Sequence, residues 1–189
     1  MYRTAEPIEE GSWQVGAGTA VGTISDEEQD TGAPTAQSEL LVRYGVDDDL
    51  DVGAKLFVPG LELNATWRLF HGSKWSWALL PSVSIASTPE TGLNPSASYA
   101  FANVGLVTSR RLSPNWALGF GGSVGAGGYR PETGGTAGGV WLGTFAHMDY
   151  RLSQRWHFTP ELGGYSVIMG EVPVTGAAIH MGAAFRIDL

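Results

Sequence analysis

Alternation of apolar and polar residues with a period of two runs through this chain, and no other feature narrows its fold so far. The last segment is the clearest case. Ala177, Ile179, Met181, Ala183, Phe185, Ile187 and Leu189 make one row, and Ala178, His180, Gly182, Ala184, Arg186 and Asp188 interleave with it. Successive side chains of a strand point to opposite faces, so such a strand has one oily and one polar face. Similar stretches fall at 12–24, 38–46, 50–58, 61–70, 75–87, 98–110, 116–128, 139–151, 156–167 and 176–189. The pattern predicts an all-β chain of about ten strands.

Periodicity alone does not say which row faces inward. The apolar rows hold Leu40, Val42, Tyr44 and Val46, then Leu61, Leu63, Ala65, Trp67 and Leu69. Their partners are the charged rows Glu39 and Arg43, Asp51 and Lys55, and Glu62 and Arg68. Three features favour the apolar row outside. The turns at 47–49, 71–74, 112–115 and 152–155 are short, whereas the connections at 25–37, 88–97, 129–138 and 168–175 are longer and rich in Gly and Pro. Only Pro59–Gly60 breaks that alternation. Trp75, Trp116 and Trp156 each follow a short turn and Trp13 opens the first strand, so the four predict an interfacial girdle sharing the apolar row. The small rows Ala117, Gly119, Gly121, Ser123, Gly125, Gly127 and Gln14, Gly16, Gly18, Ala20, Gly22 would leave room inside for long Arg and Glu side chains. Pro81 and Pro160 fall within proposed strands, and bulges are expected there.

On these residues the span 11–189 resembles a bacterial outer-membrane β-barrel, a closed, up-and-down antiparallel transmembrane barrel. Such proteins end in a strand used as an assembly signal, usually closed by an aromatic residue. Leu189 departs from that pattern, although Phe185 stands in the right row. The resemblance implies the outer membrane as location, outer-membrane lipid and the barrel-assembly machinery as partners, a monomer, and export by a signal peptide not seen in this sequence. Residues 1–10 are expected to form a polar, unstructured lead. They also resemble the mature ends of lipoproteins, in which an acylated Cys would stand in place of Met1.

Composition supports this reading. Charged residues are 16% of the 189, below the ~25% of ordinary soluble domains, and 27 residues are Gly. A net charge of −8 argues against a nucleic-acid partner. No Cys is present, so disulfide and thiolate chemistry are excluded.

No Gly-x-Ser-x-Gly, His-Glu-x-x-His or phosphate-loop motif occurs, and neither cofactor nor metal is expected. One constellation stands out. His147, Asp149, His157, Glu161, His180, Arg186 and Asp188 share the inward parity of the last three strands. A tight turn at 152–155 would put Asp149 opposite His157 with His147 diagonal to it, and Glu161 would meet His180 across the next hairpin. Histidine beside carboxylate suits general-base catalysis or metal ligation, and equally a self-satisfied charge network. The network would include Glu39, Arg43, Asp51, Lys55, Glu62, Arg68, Arg186 and Asp188. The acidic runs at 26–30 and 47–49 are read as solvated, without the spacing of a calcium loop. Ten strands leave a lumen that side chains can fill. The expected role is a narrow or plugged pore or a scaffold, with a membrane-embedded hydrolase using the His/carboxylate cluster, or a surface-loop adhesin, as alternatives.

Overall fold

The structure is a computed structural model that describes residues 4–24, 33–72, 74–88, 96–131, 135–170 and 177–189. Ten strands follow in chain order: β1 (Trp13–Ile24), β2 (Ala33–Asp47), β3 (Leu50–Phe57), β4 (Gly60–His71), β5 (Trp75–Thr88), β6 (Ala97–Ser113), β7 (Trp116–Pro131), β8 (Ala137–Arg151), β9 (Trp156–Gly170) and β10 (Ala177–Asp188). Each pairs antiparallel with the next, and β10 pairs with β1 from Gln14↔Asp188 to Ile24↔Ala178, closing an up-and-down barrel. Among the described residues no helix is long and apolar enough to cross a membrane.

The rows divide by face. Leu40, Leu63, Leu142 and Ile179 are about half exposed or more on the outside, whereas Arg43 and Asp51 are 1% and 0% exposed inside. A soluble barrel would show the reverse, because an isolated buried charge is far costlier than a buried Leu. Trp13, Trp75, Trp116 and Trp156 each begin a strand on the outward row at the short-turn end. Trp13 packs on Tyr44 at 4.8 Å and Trp116 on Tyr150 at 4.4 Å between ring centroids, while Arg110 lies over Trp75.

Several expectations need correction. No bulge forms at Pro81 or Pro160. Pro81↔Val104 and Pro160↔Ala183 sit in continuous ladders on one side. On the other side the register is the same before and after each proline, Asn64↔Ser82 then Trp67↔Leu79, and His147↔Glu161 then Tyr150↔Phe158. A residue in an antiparallel strand directs its N–H to one neighbour only, so a proline costs one ladder and leaves the other whole. Register shifts fall instead at Gly45/Asp47, Arg68/Phe70 and Arg111/Ser113, beside short turns, and at Val140/Trp141.

The small inward residues of β7 make room for rings more than for charges. An added Cβ at Gly119 would lie 2.2 Å from the His147 ring, and at Gly121 2.2 Å from Phe145. The small row of β1 meets Arg186, whose Cγ would lie 2.9 Å from a Cβ at Gly16.

The N-terminal lead is not free. Thr4, Ala5 and Ile8 are buried, with Ala5 completing a small apolar cluster of Ala78, Leu80, Val107 and Phe145. Ala5 N donates to Ser109 Oγ at 2.9 Å and Ile8 N to Asp51 Oδ2 at 3.2 Å, while Arg111 pairs with Glu6. Gly45 makes the passage possible, since a Cβ there would stand 2.1 Å from the Glu9 carbonyl oxygen. This segment therefore lies along the inner wall at the short-turn end.

Candidate functional site: the polar lumen

Inward parity delivers polar side chains from every strand but β7 at the turn end, and they sort into separate groups. In the first, β2 supplies Arg43 and β3 supplies Asp51. Arg43 Nε donates to Asp51 Oδ1 at 3.1 Å, and Nη2 donates to the second carboxylate oxygen and to Thr66 Oγ1 at 2.8 Å. This two-pronged geometry suits a guanidinium and a carboxylate taken out of water. Gly53 lets the Arg43 stem lie flat, because a Cβ there would meet its Cγ at 2.8 Å.

Higher in the same wall, Lys55 bridges Glu39 at 3.4 Å and Glu62 at 3.2 Å, and Asn64 Nδ2 donates to Glu62 at 3.2 Å. Arg68 bonds Asp49 at 2.7 Å beside the turn. The acidic turn 47–49 is thus a capped turn, with Asp49 N donating to Asp47 Oδ1 at 2.7 Å. The acidic run 26–30 lies outside the described residues.

The third group joins β8, β9, β10 and β1. Arg186, 3% exposed, donates to Asp149 at 2.5 Å, to Thr159 Oγ1 at 2.9 Å and to Gln14 Oε1 at 3.2 Å. Thr159 Oγ1 donates to Asp149 at 3.0 Å, and Gln14 Nε2 to Asp188 at 2.7 Å. His157 stands between two carboxylates, Nδ1 3.2 Å from Asp149 and Nε2 3.1 Å from Asp188. Carboxylate oxygens only accept, so both contacts are hydrogen bonds when the imidazole carries two protons. In that form the ring has no lone pair to serve as a base.

The seven-residue constellation therefore divides. Asp149, His157, Arg186 and Asp188 form one network, and His180 Nε2 meets Glu161 at 3.3 Å in a second. The register corrects the expected pairing: His157 is opposite Arg151, which leaves Asp149 diagonal to it, and His147 is opposite Glu161. His147 is 3% exposed and stacked on Phe145, and neither ring nitrogen has a hydrogen-bond partner among the described residues.

The sequence puts Gln14 and Thr66 on inward rows but assigns neither to the networks, and Thr159, also of inward parity, is not singled out there at all. A cavity of about 80 Å³ lies between Asn103, Ser123, Glu161 and His180, room for a few waters. Chemically the lumen can hold charge in place. No Ser or Thr hydroxyl in the third group is free to act as a nucleophile beside His157, since Thr159 is already engaged twice.

A test of this division uses His157→Ala. It removes a partner from both Asp149 and Asp188, and the expected cost is about 1–3 kcal/mol of barrel stability by denaturant titration in detergent or vesicles. An unchanged midpoint would show that the two carboxylates do not depend on the ring.

No family model and no curated protein sequence matches the chain. Solved structures do. The chain is similar to neisserial surface protein A (NspA), with a TM-score of 0.55 and 9% identity over 94% of this chain and 99% of that one. The translocator domain of the autotransporter NalP from Neisseria meningitidis gives 0.55 and 9%, over 95% and 89%. The outer-membrane protease OmpT from Escherichia coli gives 0.51 and 10%, over 98% and 100%. At these identities the likeness speaks of architecture, and with the inverted faces above it gives the conclusion directly: this chain has the fold of a bacterial outer-membrane β-barrel.

Proposed function

We propose that the chain is an integral outer-membrane barrel whose lumen is closed at the short-turn end by its own N-terminal segment, making it a scaffold with at most a narrow ion path. The observation that carries this is the seating of Ala5 and Ile8 inside the wall, bonded to Ser109 and Asp51. The paired charges around it support the same reading, since Arg43, Lys55 and Arg186 each fill lumen space opposite carboxylates. In this reading outer-membrane lipid surrounds a single barrel placed there by the assembly machinery, and the Trp row marks the interface. The hydrolase alternative is disfavoured because His157 is engaged at both nitrogens and has no free hydroxyl beside it. An adhesive role would rest on the long loops, which are largely outside the described residues.

Planar-bilayer recording tests the plug. The intact chain is expected to give no steps or small ones. Deleting residues 2–10 should raise step size or open time. Gly45→Ala should do the same in a full-length chain, because its Cβ occupies the space of the Glu9 carbonyl. Large steps from the intact chain, or no change in either variant, would dismiss the plug.

A further inference from the structure

The outward face is not uniformly bulky. Over the loop-end half of β6 and β7 it carries Ala100, Ala102, Ala126 and Gly128, paired as Ala100↔Gly128 and Ala102↔Ala126. The neighbouring wall strands carry larger residues, Leu63 and Val83 on one side and Val140 on the other. The result is two adjoining outward grooves of about 800 and 570 Å³, the first reaching Arg130 and the second running down to Val104 and Val124. The bulk that this part of the wall lacks outside is found inside, where Tyr99 packs on Tyr129 at 5.2 Å and Phe101 on Trp141 at 5.2 Å.

We infer that this groove binds one anionic lipid of the leaflet at the long-loop end, with acyl chain along the Ala102–Ala126 floor and headgroup phosphate at Arg130. The inference rests on the membrane reading above and adds a specific site to it. Depth fits. From Trp116 at the opposite interface, with ~3.4 Å per residue and a ~45° tilt, Ala126 stands about 24 Å along the membrane normal and Arg130 about 34 Å. A hydrocarbon core of ~30 Å therefore ends between them, with the small floor below its edge and the exposed guanidinium above it.

Shape fits as well. The floor from Ser98 to Val104 is about 20 Å long. The walls on β5 and β8 are three strand spacings apart, ~14 Å between backbones, and their side chains narrow the gap below the 10–12 Å of a helix. An acyl chain enters such a slot where a transmembrane helix of a partner does not. A guanidinium at the headgroup level can donate to the phosphate of either lipid, but only an anionic lipid lacks the quaternary ammonium that offsets this attraction, so net charge favours it.

Native mass spectrometry of the full chain, released from vesicles of equal phosphatidylglycerol and phosphatidylcholine with the same acyl chains, tests this. One phosphatidylglycerol should be retained roughly fivefold over phosphatidylcholine, the size expected of one unit of net charge beside a basic residue at the membrane surface. Arg130→Gln should bring the two lipids level. Ala102→Leu with Ala126→Leu fills the floor and should abolish retention of both, at unchanged strand content by circular dichroism. Equal retention by the unmodified chain, indifference to Arg130→Gln, or a dimer mass in place of bound lipid would each overturn the site. Failure of the chain to enter vesicles at all would instead overturn the membrane reading on which it rests.

Discussion

Asp51→Ala should destabilise the barrel by about 3–5 kcal/mol, because it leaves Arg43 buried without its carboxylate. Both side chains are almost fully withdrawn from solvent, at 1% and 0% exposure, so water cannot take the place of the lost partner. Thr66 alone would then accept from the guanidinium. The change also removes the acceptor for Ile8 N, so loss of stability and release of the N-terminal segment should appear together. Asp49→Ala is the internal comparison. Its ion pair with Arg68 is at the turn with Asp49 63% exposed, and its loss should cost under ~1 kcal/mol. Replacing Arg43 by Met together with Asp51 by Leu should recover much of the loss, since two apolar groups leave no charge uncompensated. Denaturant midpoints in detergent, combined with conductance, read all of this. If Asp51→Ala and Asp49→Ala cost the same, the buried pair has no special weight.

The strands were legible in the sequence because every one carries its two rows, and parity alone separates Leu40 from Arg43 or Ile179 from Arg186. The loop-side ends were not. Residues 33–37, 129–131 and 168–170 read as Gly- and Pro-rich connections, yet the ladders extend through them, as in Thr35↔Gly22 and Ala97↔Pro131. Backbone pairing supplied by a neighbour carries such residues where their own propensity does not. The lumen cluster was legible as a set of residues but not as a set of contacts. Parity places His157 and Asp149 on one face, while opposite or diagonal depends on the turn, where Leu152 N donates to the Trp156 carbonyl and fixes the register. The N-terminal segment gave no signal. Thr4, Ala5 and Ile8 show no period, and their burial follows from a notch at Gly45, about forty residues on, that no local pattern announces.

Leu142→Arg tests the inside-out arrangement itself, and the expected cost is about 2–4 kcal/mol in a bilayer. Leu142 is 49% exposed on the outward row of β8, paired with Val124 and Ser166. Tyr150, which packs on Trp116, marks the interface at the start of this path. At ~3.4 Å per residue and a ~45° tilt Leu142 then lies about 19 Å in, just past the middle of a ~30 Å core. An arginine there must lift its guanidinium a long way to reach water, so little of the penalty is relieved by stretching. Leu152 supplies the contrast: it is 50% exposed in the turn beyond the Trp row, and Leu152→Arg should cost ~0–1 kcal/mol. The difference between the two sites is what a lipid-facing wall requires, since exposure is nearly the same and only depth differs. Were the apolar row merely solvent-exposed, arginine at either position would be equally harmless. Folding titrations in vesicles distinguish these outcomes, and equal midpoints for both variants would place the outer wall in water.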